Sequence, residues 1–406
     1  MENFDNEVKV RIGLINKQNF KGYAAAPIKN IYFQNNTQES QKNIFNELKE
    51  VGKKENFRVQ LEQAGKLYED IESAESSKRY MWAQDNKMIV NKNDKNHVLV
   101  SGVKPNFESE LGKALEVPTI EANSVFEGGN VFLGKKPDGE KYLIIGEDAV
   151  LDMASAKFHR ENIGPVKNIA HIETYRMLFA REGEYDTTTS DGRNISFEVK
   201  PFDEYEAQAK EQLSKDFDVK PENICILPQL EFHLDMFLRP LDYPYVLVND
   251  KTMSDAVSRE FGLTEEKKEN GFDVFGMMFS LDKEDKHTKV IRKLKESGFT
   301  PISVAGTFGP GGSINYLNSF VNKNDDGSLS FIAMSSINAD DKFKKLDSVF
   351  DKELKSKAPN IKNIYHISGG PSKENKECNN IMANIQYRKG GLHCLGCEEP
   401  DFEKWV

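Results

Sequence analysis

Five times along the chain a helix-length segment with an apolar stripe runs directly into a short extended segment, and this alternation is the strongest constraint on the fold. Residues 39 to 53 place Ile44, Leu48 and Val51 on one face, and "FRVQLEQ" follows. Residues 107 to 115, "FESELGKAL", lead into "EVPTIEA", and residues 204 to 217, "EYEAQAKEQLSKDF", lead into "ENICILPQ". Residues 287 to 298, "HTKVIRKLKESG", are closed by Gly298 and followed by "FTPISVAG". In the fifth copy Phe343, Leu346, Val349, Phe350 and Leu354 line one face of residues 340 to 354, ahead of "NIKNIYHIS". The units are too long and too individual for a solenoid of fixed period. Two architectures remain open. Either five copies of one supersecondary unit close around an axis, so that the short segments after the strands converge near it, or the chain is an ordinary α/β domain in which such alternation is expected anyway.

Spacing between the units is uneven, which marks insertions. Residues 181 to 202, "REGEYDTTTSDGRNISFEVKPF", carry an Asp-Gly turn between alternating runs and predict an added hairpin, and "NKNDDGSLSF" predicts another tight hairpin. No Pro/Ser-rich linker divides the chain, so a single domain over residues 1–406 is expected. The 406 residues are 38% hydrophobic and 30% charged, and no apolar run approaches the roughly 18 residues a membrane span requires. No signal peptide is visible at the acidic, polar start; the expectation is a cytoplasmic protein, or one exported by a route that uses no such signal. Four cysteines, Cys225, Cys378, Cys394 and Cys397, are too few for a disulfide framework in a chain this long. A formal charge of -10 argues against nucleic acid and favours a cationic small molecule or basic polypeptide segment as partner.

A distinctive segment follows each strand. After the first comes "RYMWAQDNKMIV", where Asp85 beside Trp82 could hold a flat cation by charge and stacking, or be a loop acid next to a core indole. After the second comes "FEGGNVFLG", in which Gly128 and Gly129 let the backbone turn between Glu127 and the next strand. After the third comes "LEFHLDMFL"; if extended, it presents His233 and Asp235 on one face and Phe232, Leu234 and Met236 on the other. After the fourth comes the Gly- and Asn-rich "FGPGGSINYLNSF", which lacks the Gly-Lys-Ser/Thr of a phosphate loop. After the fifth comes "GGLHCLGCEEP" with Cys394 and Cys397. This last stretch admits a Cys-x-x-Cys redox pair, part of a zinc site, or a lone nucleophile at Cys394. A redox Cys-x-x-Cys normally opens a helix, and zinc would need two further ligands from elsewhere.

Together the segments offer a thiol, an imidazole and three carboxylates. Acids raise a thiol's pKa, so this set suits an activated cysteine only where a cation neutralises them. A guanidinium is such a cation: planar, forked in its N–H donors, and electrophilic at its central carbon.

In this order the motifs Trp-x-x-Asp, Glu-Gly-Gly, His-x-Asp and Gly-Gly-x-His-Cys resemble those of the guanidino-group-modifying enzymes, the pentein superfamily of arginine, agmatine and protein-arginine deiminases and amidinotransferases. The likeness runs from about residue 8 to the end. It implies an α/β propeller of five ββαβ units around a pseudo-fivefold axis, with the active site on that axis. "RYMWAQD", "FGP" and the closing "GGLHC" with Trp405 are similar to protein-arginine deiminases, whereas "FEGGN" and "YLNSF" are closer to bacterial arginine and agmatine deiminases. Carried over by resemblance, Asp85 and Asp235 grip the guanidinium, Cys394 attacks its carbon, His233 moves the protons and Glu127 orients the imidazole. Trp82, Arg388, Asn318 and Gly128 are the candidate substrate-binding residues. Asn86 and Met88 stand where the animal enzymes carry calcium-binding acids, so no cofactor is expected and calcium activation is in doubt. The expected substrate is arginine in a polypeptide. The alternatives are a small guanidine such as agmatine or free arginine, or an amidinotransferase that passes the amidino group to an amine.

Overall fold

The structure is a computed structural model that describes residues 27–34, 39–63, 65–70, 83, 87–92, 95–102, 110–166, 172, 176, 179–180, 182–188, 192–262, 283–308, 314–336, 345–370, 391–401 and 404. In chain order, β1 (Ile28–Gln34) leads through helix Glu39–Glu55 to β2 (Arg58–Gln63), and β3 (Lys66–Tyr68) folds back on it. Next come β4 (Lys87–Lys92), β5 (Lys95–Val100), helix Glu110–Leu115 and β6 (Thr119–Glu121). The third stretch is β7 (Val131–Lys135), β8 (Lys141–Gly146), helix Glu147–Asn162, the hairpin β9 (Gly183–Thr188) and β10 (Asn194–Val199), helix Phe202–Phe217 and β11 (Ile224–Leu227). The fourth is β12 (Leu238–Pro240), β13 (Tyr245–Asn249), helices Lys251–Glu260 and Lys283–Glu296, and β14 (Thr300–Val304). After the short pair β15 (Thr307–Phe308) and β16 (Ile314–Asn315) come β17 (Phe320–Lys323), β18 (Leu329–Met334), helix Leu346–Lys357 and β19 (Ile361–Ile367). The chain closes with β20 (Gly396–Pro400), which returns to pair antiparallel with β1.

One pairing rule recurs in five sheets among the described residues. A central strand pairs antiparallel with the strand before it, or in the case of β1 with the chain's last strand β20, and parallel with the strand that follows its helix. Thus β5 lies between β4 and β6, β8 between β7 and β11, β13 between β12 and β14, β18 between β17 and β19, and β1 between β20 and β2. Each sheet is therefore a ββαβ unit, and the protein is an α/β fold. The parallel pair needs a crossover, and the amphipathic helices supply it. Their apolar stripes face the sheets: Ile44, Phe45 and Leu48 on one, Ala209, Leu213 and Phe217 on another, Val290 and Leu294 on a third, and Leu346, Phe350 and Leu354 on a fourth are buried. Strand β18 is buried at every position, as expected where both faces of a sheet are covered. Gly298, with φ +84, ends the fourth crossover helix in the left-handed conformation that a side chain resists. The predicted hairpin inserts within the third unit, with Asn194 opposite Thr188. No described helix is long and apolar enough to cross a membrane.

What matters for the site is the chain between one unit and the next. Glu127 and the turn Gly128–Asn130 come just before β7, the turn Leu234–Met236 just before β12, Asn315 to Ser319 just before β17, and the turn Leu392–Leu395 just before β20. The turns at 128–130, 234–236 and 392–395 touch one another.

One local expectation is corrected. Residues 231 to 236 are not one extended strand: His233 is extended, but Leu234–Met236 is a 3-10 turn. Side chains from neighbouring segments take the backbone groups that a ladder would pair, with Asn130 Oδ1 accepting from the Leu234 N–H at 3.3 Å and Asn315 Nδ2 donating to the Met236 carbonyl at 2.8 Å. The segment Leu392–Leu395 is a helical turn.

Leu392 and Leu395, both fully buried, anchor this last turn in the main core beside Phe33 and Phe320. Burial of each contributes about 1.5–3 kcal/mol. The following Gly396 fits because it has no side chain: a Cβ there would lie 2.6 Å from Ile31 Cγ2 and 2.9 Å from Phe320 Cζ. Both neighbours are fully buried and cannot swing away. Gly396→Ala is expected to destabilise the fold by about 1–3 kcal/mol through overpacking, measured as a lower urea midpoint; an unchanged midpoint would show that β20 is not packed this way.

Candidate functional site

Cys394 stands in the turn Leu392–Leu395, and the residues before and behind it are fitted to hold the sulfur in place. Gly391, extended at φ -150 and ψ -172, leads in. A Cβ on it would lie 2.3 Å from Asn318 Cγ and Oδ1, so only glycine lets Asn318 approach. That amide is fully buried and makes contacts on both sides: Oδ1 accepts from the His393 N–H at 2.7 Å, and Nδ2 donates to Cys394 Sγ at 3.3 Å and faces Met236 Sδ at 3.4 Å. Asn315 holds Asn318 in turn, its Oδ1 accepting the Asn318 N–H at 3.3 Å. A thiolate at Cys394 would thus have an N–H donor already aimed at it.

Cys397, three residues on, is in different surroundings. It lies in β20 and packs with Tyr32, Ile89 and Val98, with Sγ 4.0 Å from the Lys87 carbonyl oxygen. Burial pushes its thiol up to about 12. Both cysteines are free thiols.

Beside Cys394 lies Asp235, fully buried. Its Oδ2 accepts from Cys394 Sγ at 3.4 Å and from His393 Nδ1 at 3.0 Å. Its Oδ1 is also buried and has no hydrogen-bond partner among the described residues. His233 is on the same side. A Cβ on Gly129 would meet His233 Nδ1 at 2.6 Å and Asp235 Oδ2 at 3.0 Å, so imidazole and carboxylate both stand against the bare backbone of the 128–130 turn. Asn130 ties the two turns together, donating from Nδ2 to Gln229 Oε1 at 3.0 Å while it accepts from Leu234.

The other face of the imidazole belongs to Glu127. His233 Nε2 and Glu127 Oε2 are 2.5 Å apart. Burial pushes the Glu127 carboxyl up, but the hydrogen bond from His233 and the charges of His233 and Arg176 outweigh it and leave the carboxyl below its usual range. An ionised Glu127 in turn favours the protonated imidazole. Arg176 is itself fixed, bound through Nε and Nη2 to the two oxygens of Asp152 at 2.5 and 2.7 Å, with Nη1 3.4 Å from Asp148 Oδ2. Such fork-on-carboxylate geometry is among the stronger and more rigid of ion pairs.

Of the residues singled out from the sequence, the structure brings together Glu127, Gly128, His233, Asp235, Asn318 and Cys394. Trp82, Asp85 and Arg388 lie outside the described residues. Asn318 supports the sulfur from within the fold. Sequence reasoning passed over His393, Asn130, Arg176, Arg239 and Glu398 as parts of the cluster. His393 and Asn130 adjoin motif residues, and their polar character was the available signal. Arg176, Arg239 and Glu398 act through contacts distant in sequence and had none.

No family model and no curated protein matches this sequence. Among solved structures the chain is similar to C. jejuni agmatine deiminase, at 15% identity over 95% of this chain and 99% of that one, with a TM-score of 0.48. It is also similar to DDAH from Pseudomonas aeruginosa, solved as a cysteine-to-serine variant complexed with citrulline, at 11% identity over 92% of this chain and 100% of that one, with a TM-score of 0.40.

Asn318→Asp keeps the acceptor for the His393 N–H and replaces the donor facing sulfur with an acceptor. A hydrogen bond to a charged group is worth ~1.5–3 kcal/mol, so the pH profile of Cys394 alkylation by iodoacetamide is expected to move up by at least roughly one pH unit. A profile that stays in place would show that Asn318 does not support the thiolate.

Proposed function

We propose that this protein hydrolyses an arginine-type guanidinium to a ureido group and ammonia, through a covalent thiouronium on Cys394. The observation that carries the proposal is Asp235. It is a fully buried carboxylate with Oδ2 held beside the Cys394 thiol and Oδ1 meeting no donor among the described residues, and a planar N–H fork above the sulfur would match it. The same cation removes the obstacle that an acid sets for a neighbouring thiol, because it offsets the charge that keeps the proton on sulfur.

The steps follow from the side chains. The Cys394 thiolate adds to the guanidinium carbon, forming a C–S bond and a neutral tetrahedral adduct. Protonated His233 gives its proton to one NH2 group, the C–N bond breaks and ammonia leaves, so that the remaining amidino group is a positively charged thiouronium. Neutral His233 then takes a proton from water, and the hydroxide adds to the same carbon. The C–S bond breaks, the thiolate is regenerated, and the hydroxyl proton leaves with ammonia as ammonium. Glu127 keeps His233 oriented and stabilises its charged form at both proton transfers. Asp85 is the proposed second carboxylate on the guanidinium. Every chemical role is filled by a side chain, so the proposed reaction needs no cofactor. The proposed architecture is the propeller, with the five ββαβ units arranged about a pseudo-fivefold axis and the segments between units meeting on it.

For the substrate we propose arginine within a polypeptide. The Gln84-Asp85 pair and the net charge of -10 favour it. Agmatine, a small guanidine, is the second substrate we propose.

The test is a colour assay for ureido products with an arginine-containing polypeptide, agmatine and free arginine side by side, each with and without calcium. The expected outcome is product from the polypeptide without added calcium, abolished by Cys394→Ser and retained in Cys397→Ala. Equal loss from both cysteine variants would sink the nucleophile assignment, and product that appears only with a primary-amine acceptor would establish a transferase instead.

A further inference from the structure

Behind Asp235 the structure holds a row of buried groups that the reaction steps do not use. His393 is 1% exposed, and its ring is held between Phe132, stacked at 5.8 Å and 28°, and Phe320 at 5.6 Å. Nδ1 faces Asp235 Oδ2 at 3.0 Å, and Nε2 faces Glu398 Oε2 at 3.6 Å. The other oxygen of Glu398 accepts from Arg239 Nη2 at 3.1 Å, and the Arg239 guanidinium lies 5.5 Å over the far ring, Phe132. Arg239, Glu398, His393 and Asp235 thus form a line of alternating acceptor and donor groups that ends at the nucleophile. Burial pushes the Glu398 carboxyl up, but Arg239 and His393 outweigh it and leave it below its usual range, so an anion faces the imidazole from behind.

This geometry limits how Asp235 can stand. A carboxylate beside a thiol and a cationic ligand can rotate to offer either oxygen, or turn both toward sulfur. Here the imidazole holds Oδ2; the two aromatic rings fix its plane, and Asp235 and Glu398 at its two nitrogens select its orientation within that plane. Oδ1 is left as the only oxygen of Asp235 able to meet a ligand.

We infer that His393, backed by Glu398 and Arg239, is a positioning residue that sets Asp235 with Oδ1 presented to the cationic ligand, and so fixes the preference of the site for a guanidinium or amidinium over a neutral isostere. The inference rests on the function proposed above and adds the device that makes the carboxylate selective. His393 touches neither sulfur nor ligand in this role and acts through Asp235.

Two alkylating probes of nearly the same shape separate charge recognition from thiol reactivity. 2-Chloroacetamidine is a cation and 2-chloroacetamide is neutral; with each, a C–S bond to Cys394 forms and chloride leaves. The quantity read is the ratio of the two inactivation rates, each divided by the rate of the same reagent with a free thiol at the same pH. The wild-type protein is expected to prefer the amidine. In His393→Phe the ring contacts remain and the donors are lost, and the preference is expected to fall at least tenfold. In His393→Asn the amide nitrogen stands near the place of Nδ1, and much of the preference is expected to return. A generally loosened site would slow both reagents alike and leave the ratio unchanged. Glu398→Gln, which keeps the shape and removes the charge behind His393, is expected to lower the ratio as well, and it decides the matter if the Phe variant does not fold. A wild-type preference for the amidine that survives intact in the folded variants would overturn the positioning role while leaving the guanidinium reading in place. No preference in the wild type would overturn both.

Discussion

The site depends on one buried anion. Asp235 has no contact with solvent, and an isolated carboxylate at that depth costs several kcal/mol of lost hydration unless surrounding groups replace it. On one side they do: His393 and the Cys394 thiol both point at Oδ2. On the other side nothing among the described residues reaches Oδ1. A fold that only needed the carboxylate as a structural strut would satisfy both oxygens, as it does for Asp347, where Tyr316, Ser335 and Ser336 occupy both. Within the same protein the two aspartates differ in that Asp347 has both oxygens taken by its neighbours, whereas Asp235 keeps Oδ1 for the ligand we propose.

The rest of the architecture serves to deliver that arrangement. Each ββαβ unit ends in a parallel strand, and the chain must then pass to the first strand of the next unit. Those passages carry Glu127, His233 and Asp235, Asn318, and Cys394. They are turns, so their backbone groups are not consumed by a ladder and can be met by Asn130, Asn315 and Asn318 instead. Gly129 and Gly391 allow these turns to approach closer than any side chain would permit. The sheets provide rigidity, while the passages carry the groups of the proposed chemistry.

Much of this was legible in the sequence, and the parts that were not have physical reasons. The stripes of Ile44 and Leu48, of Leu213 and Phe217, and of Leu346, Phe350 and Leu354 gave the crossover helices, because each faces a sheet on one side and solvent on the other. Helix Glu147–Asn162 left no such stripe: Ala149, Val150, Leu151, Ala154, Ala156 and Phe158 are buried around much of its circumference. Helix Lys251–Glu260 has only a short apolar face, Met253 and Val257 half-buried against the main core, and is stabilised at its start by Asp250 accepting the Met253 N–H at 3.0 Å. His233 and Asp235 were expected side by side from strand alternation and are side by side through a 3-10 turn, since side chains from other units replace the ladder. The partnership of Arg239 with Glu398, 159 residues apart, has no trace in local pattern.

The central claim is that Cys394 becomes covalently bonded to the guanidinium carbon during turnover. The most direct measurement is mass spectrometry of the protein quenched with acid while it is turning over a guanidine substrate, followed by digestion and mapping. The account predicts an adduct on the peptide bearing Cys394 with the mass of the substrate less ammonia, absent in Cys394→Ser. The same adduct on Cys397, or product formation with both cysteines unmodified at every quench time, would contradict it.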